Sequence, residues 1–215
     1  MGDTAATGPE ADLEAAHAQA RSRTREIARE VLIEAFGASA TPFVPVPFVD
    51  DWMFARLLRR IAGKVLAKHA GPNQEAMTAE LAQKITDAYV KTGAPSTAES
   101  IAVGAARFVV RKLAVVMDVK KSHDVFGESI AFALALDLAA NNRWVSDAGA
   151  AHLGAAVHRS LQVVGSTALE SLVKAGREAV SKGISKEKLG AAIGHQVEKL
   201  RDQLDPVLRY EISVR

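Results

Sequence analysis

The chain has 215 residues, and its 27 Lys and Arg against 25 Asp and Glu leave a formal charge of +2, too small a balance to call for a nucleic-acid partner. Hydrophobic residues make up 48% and aromatic residues only 5%; much of the apolar share is alanine, which favours closely packed helices over strands. Cysteine is absent, which excludes disulfides, thiolate metal sites and a cysteine nucleophile together.

Residues 1–10 read as a disordered tail without the basic and apolar regions of a signal peptide, and 11–210 as a single all-α domain, a bundle of about seven helices. The first helix spans 12–36 and stops near Gly37, with Ile27, Val31 and Phe36 to dock it. Residues 38–49 are expected to be extended, because Pro42, Pro45 and Pro47 each remove a donor and bias the preceding residue away from helix. From Asp51 onward Phe54, Leu57, Leu58, Ile61, Ala62, Val65 and Leu66 recur at three- and four-residue intervals and lay an apolar stripe along a second helix. Arg56, Arg59, Arg60, Lys64 and Lys68 take its flanks and back. Asp50 and Asp51 favour its start, and His69-Ala70-Gly71-Pro72 is a stop signal.

A third helix over 78–91 carries Leu81, Ile85, Ala88 and Tyr89 on one side. Ser96-Thr97-Ala98-Glu99 has capping-box spacing and opens a fourth, ending near Lys121; Ser122 is the expected cap of a fifth over 123–141. In that segment Ile130, Phe132, Leu134, Leu136 and Leu138 alternate as a strand would, but the intervening alanines favour a helix buried on several sides. Ser146-Asp147 opens a sixth helix to about Gly176, striped by Leu153, Val157, Leu161, Val164, Ala168 and Leu172, with Ala151, Gly154, Ala155 and Gly165 permitting close approach. After a break at 181–185, Leu189, Ile193, Val197, Leu200 and Leu204 mark a last helix that is expected to end near Asp205-Pro206. The longest stretch free of charge, 35–49, holds three prolines, so no membrane-spanning helix is expected, since one needs roughly 18 apolar residues.

Two groups of residues are candidates for function. The first joins the aromatic residues Phe43, Phe48, Trp52 and Phe54 to the cations Arg56, Arg59, Arg60 and Lys64. Aromatic and aliphatic side chains enter a bilayer interface while arginines meet anionic headgroups; a core-facing stripe with a solvated basic back is the structural alternative. The second is a set of charges within apolar sequence, Arg107, Arg111, His123, Glu128 and Asp137. Buried charges need partners, so Arg111 with Glu128 or Arg107 with Asp137 is the structural expectation, and a polar head held in an apolar helical pocket is the functional one. The chain has no Glu-x-x-His pair of the kind that builds metal sites in bundles, and His123, Asp124, Glu128 and His152 fit helix capping and surface polarity better than ligation. No Gly-x-Ser-x-Gly elbow, phosphate-binding loop or dinucleotide fingerprint is present. Neither a metal nor a cofactor is expected.

The run Val44-Pro45-Val46-Pro47-Phe48-Val49-Asp50, followed by Ala55-Arg56-Leu57-Leu58-Arg59-Arg60-Ile61-Ala62 and closing at Gly71, resembles a recurring element of the EcsC-like and DUF697 (YcjF-like) helical proteins of bacteria. There a Pro-x-Pro-x-x-Asp stretch leads into a helix ending in a basic-Ile-Ala pattern and a glycine. The resemblance covers residues 44–71 and implies a helical, membrane-associated or membrane-adjacent protein with no established catalytic residues. The expectation is a non-enzymatic, cytoplasmic protein, peripheral to the inner membrane, that docks to an anionic membrane surface or another protein through the 42–69 element. The alternative is a soluble carrier holding a lipid-like or other hydrophobic ligand inside the bundle.

Overall fold

The computed structural model of the chain describes residues 9–39, 49–71, 74–93, 114–146, 149–181 and 186–214. Every element among them is an α-helix: α1 (Pro9–Ser39), α2 (Val49–Ala67), α3 (Glu75–Gly93), α4 (Ala114–Asn141), α5 (Ala150–Ser181) and α6 (Lys186–Ser213). The all-α class expected from composition is therefore the observed one. Expected boundaries move by a turn or less in the first three helices: α1 begins at Pro9 and runs through Gly37 to Ser39, α2 begins at Val49, and α3 spans Glu75–Gly93.

The helices enclose one hydrophobic core whose axis is α4. From 125 to 139 every residue except Glu128 is buried, so the alternation of Ile130, Phe132, Leu134, Leu136 and Leu138 with alanines belongs to a helix enclosed on all sides. It packs against α1, α2, α5 and α6. The expected boundary at Ser122 does not form; α4 runs unbroken from Ala114 to Asn141. Neither proline nor a left-handed residue interrupts that stretch, and a serine alone does not stop a helix with tertiary support. The helix ends where Arg143 takes a positive φ of 58° and the Trp144 amide reaches back to the Ala139 carbonyl at 2.8 Å, a left-handed cap usually given to glycine.

Two further departures have local causes. The last helix does not end at Pro206 but continues to Ser213. Pro206 is exposed, so the carbonyl that loses its donor is left towards water, while the stripe of Leu200 and Leu204 continues into Leu208, fully buried beyond it. The Arg159–Glu211 pair at 2.6 Å fastens that extension to α5. Gly165 was expected to serve close packing; instead nothing lies within 4 Å of where its Cβ would be, and its φ of 77° with ψ of 174° kinks α5. Close approach falls to Gly154, where a Cβ would stand 2.2 Å from the Ile85 carbonyl oxygen of α3.

Candidate docking face

The apolar stripe of α2 faces the core. Leu58, Ile61, Ala62, Val65 and Leu66 are buried, and Phe54 packs partly against the same cluster. Phe54 is thus seated on the bundle, and Leu57 is half-buried. The side of α2 left over carries Trp52, Arg56, Arg59, Arg60, Lys64 and Lys68. Trp52 is 58% exposed, and the Arg56 guanidinium lies over its ring, 5.3 Å from the centroid, a contact worth about 0.5–1 kcal/mol at an exposed site.

The remaining cations differ in what they meet. Arg59 reaches Asp87 of α3 at 2.5 Å. Lys64 reaches Glu34 of α1 at 2.6 Å, and Lys68 holds Glu30 at 2.8 Å and Glu26 at 3.0 Å. Burial alone would lower the Lys68 pKa, but hydrogen bonds and charge from Glu30 and Glu26 outweigh it and raise the value. Reciprocally, the hydrogen bond and charge of Lys68 lower the Glu26 pKa. Arg56 and Arg60 are exposed and meet no carboxylate among the described residues. Phe43 and Phe48, the other candidates on this element, lie outside the described residues.

Past the end of α2, the Lys68, His69 and Ala70 amides fold back onto the Val65 and Leu66 carbonyls, and the turn presents His69 to the middle of the bundle. Its Nε2 lies 2.8 Å from Oδ1 of Asp137 on α4, and its Nδ1 lies 2.9 Å from Nη2 of Arg23 on α1. The same Nη2 is 2.8 Å from Nε2, so the guanidinium reaches both ring nitrogens, while the Asp137 carboxylate accepts from Nε2. Arg23 Nε stands 3.3 Å from the same Asp137 oxygen, and the carboxylate side chain is only 2% exposed. One buried anion thus lies against the Arg23 guanidinium and the His69 imidazole together.

Glu128 and Asp137 have different partners. Nine residues of helix separate them by about 13 Å and half a rotation, so they leave opposite sides of α4. Glu128 accepts the hydrogen bond of the Tyr89 hydroxyl from α3. Asp137 turns to α1 and the end of α2 instead. Arg107 and Arg111, their expected partners, lie outside the described residues, as does the side chain of His123. Among the described side chains of these five, Glu128 ties α4 to α3, and Asp137 ties it to α1 and to the turn after α2.

Tyr89 forms a second polar feature. Its ring meets Phe132 edge-on at 4.8 Å and His158 at 5.1 Å. Burial raises its phenol pKa well above the usual value of 10.0, and the charge and hydrogen bond of Glu128 raise it further. His158 has a buried Nδ1 with no partner among the described residues, and burial followed by the Arg159 charge lowers its pKa. Gly93 leaves room for that imidazole, since a Cβ there would stand 2.6 Å from Cε1.

The chemistry of these groups is that of fastening. The buried Ser129 and Ser160 hydroxyls donate to the Val125 and Ala156 carbonyls of their own helices, and His152 Nε2 lies 3.1 Å from the Ile212 carbonyl oxygen. Among the described residues no three His, Asp or Glu side chains are grouped as a metal site requires, and no helix is long and apolar enough to cross a membrane. The sequence had singled out Asp137 but not Arg23 and His69, which hold it. The signal for the α1 row was present, as Glu26, Glu30 and Glu34 repeat every four residues and so share one face of a helix. No family model, curated protein or solved structure matches the chain.

Proposed function

We propose that this is a non-enzymatic helical protein that docks to an anionic membrane surface through the outward side of α2. The observation that carries this reading is Trp52, more than half exposed at the beginning of an amphipathic helix, with Arg56 stacked on its ring. An indole prefers the bilayer interface, where its ring meets the acyl boundary and its N–H stays hydrated, while neighbouring arginines gain from a negative surface potential. The apolar stripe of α2 is engaged by the core, so the attachment is a shallow contact of one aromatic residue and adjoining cations rather than burial of a whole helix face.

The experiment is co-sedimentation of the purified chain with vesicles of phosphatidylcholine alone and of phosphatidylcholine with phosphatidylglycerol, at low and at physiological salt. Binding to the anionic vesicles, weakened by salt, is expected. In a Trp144→Phe background, which leaves Trp52 as the one remaining tryptophan, the emission should shift to the blue on binding. Failure to sediment with anionic vesicles at low salt overturns the reading.

A further inference from the structure

Residues 52, 56, 60, 64 and 68 recur every fourth position, so Trp52, Arg56, Arg60, Lys64 and Lys68 form one column of neighbours that winds around α2, turning through about 160° from Trp52 to Lys68. The structure divides this column. At its far end α1 runs antiparallel beside α2 and sets Glu34 against Lys64, and Glu30 and Glu26 against Lys68, so that two cations there face three carboxylates. At its near end Arg56 and Arg60 are exposed and meet no carboxylate among the described residues. Arg59, beside the column, is held by Asp87. The cations of the far half are therefore engaged by carboxylates of α1, while Arg56 and Arg60 in the near half are not.

Resting on the docking reading above, we propose that the first half of α2 alone is the membrane contact, with Arg56 and Arg60 binding the phosphates of anionic phospholipids beside an inserted Trp52. The second half is excluded. A negative surface attracts the exposed Arg56 and Arg60 and repels the acidic row of α1 set against Lys64 and Lys68. Arg56 and Lys68 are about 18 Å apart along the axis, and the field of a charged leaflet decays within a Debye length of about 8 Å at physiological salt, so the far end need not share the potential that holds the near one. The helix meets the bilayer obliquely, and the His69–Asp137 tie stays on the side away from lipid. Two exposed guanidiniums suit this partner because their planar forks match phosphate oxygens in pairs.

The test uses the full chain and vesicles of phosphatidylcholine with phosphatidylglycerol. Arg56→Gln and Arg60→Gln are each expected to weaken partitioning about fivefold, the scale for one cation near an anionic leaflet, whereas Lys64→Gln and Arg59→Gln change it less than twofold. Because the chain has no cysteine, Ala67→Cys gives a single attachment point for an environment-sensitive dye at the exposed end of α2. That dye is expected to remain in water while Trp52 emission shifts. If the wild type binds but Lys64→Gln weakens it as much as Arg56→Gln, or the Ala67→Cys dye enters the bilayer, the division is wrong and docking by the whole face stands. If the wild type binds no anionic vesicle, both proposals fall. Circular dichroism of each variant separates lost binding from lost folding.

Discussion

His69 Nε2 donates to Asp137 Oδ1 across 2.8 Å, tying the turn after α2 to the enclosed helix α4, while Arg23 of α1 supplies the neutralising cation. The three residues come from α1, α4 and the turn after α2, so the tie bears on how the bundle closes.

That arrangement sets an order among substitutions. Arg23→Met leaves a carboxylate that is 2% exposed without its guanidinium, and is expected to cost about 3 kcal/mol, as removal of one partner of a buried pair does. Asp137→Asn keeps an acceptor for His69 and returns Arg23 to water; it is expected to cost about 1–2 kcal/mol. Urea unfolding midpoints at unchanged m-value measure both. Equal or reversed costs would show that Asp137 is not held chiefly by charge.

Three glycines in helices should respond to alanine in three ways. At Gly154 the new Cβ would stand 2.2 Å from a backbone oxygen of α3 and 3.0 Å from the Ala88 Cβ, so α3 and α5 must separate, at about 1–3 kcal/mol or more. At Gly165 there is space, but φ of 77° with ψ of 174° belongs to a region nearly restricted to glycine, and the strain costs about 1–3 kcal/mol. Gly63 has nothing within 4 Å and sits inside α2, where alanine should stabilise by about 0.5–1 kcal/mol. Thermal melting of the three variants is expected to place Gly63→Ala above the wild type and the other two below it.

His158 should give stability a pH dependence. Its pKa is lowered from 6.5 by burial and then by Arg159, so the folded protein takes up the proton less readily than the unfolded chain. Above 6.5 both are neutral and the contribution is complete. As pH falls below 6.5 the unfolded chain binds the proton first, and stability declines until the folded protein is protonated too. His158→Phe keeps an aromatic ring beside Tyr89 and removes the proton. Chemical denaturation at a series of pH values is expected to show a shallower loss below pH 6.5 for this variant; an unchanged slope would assign the loss to other groups.

The last helix shows where local rules stop. Proline signals a helix end because it lacks a donor, yet α6 passes through Pro206 because the ring faces solvent and Leu208 is fully buried beyond it. The signal of the break was real, but its cost was outweighed by packing that no local window contains. The two glycines of α5 repeat the lesson. Both read as small residues for close approach, and only Gly154 has a helix against it.

Asp137 shows the same limit for charge. Its setting in an apolar run made a buried, partnered carboxylate the physical expectation, since an unpaired buried charge is too costly to keep. Its partners Arg23 and His69 lie far from it in sequence, and nothing in the chain near Asp137 names them. Their choice follows from which helices pack on α4.

For α2 the periodicity of Leu58, Ile61, Ala62, Val65 and Leu66 was enough to establish a helix, the side it buries and the side that carries cations, because these depend only on the 3.6-residue turn and on hydrophobic burial. Which of those cations remain open was beyond that periodicity. Lys64 and Lys68 are matched by glutamates of α1, and Arg56 and Arg60 are not, because ion pairing acts over a few ångströms between groups that only the docking of two helices brings together.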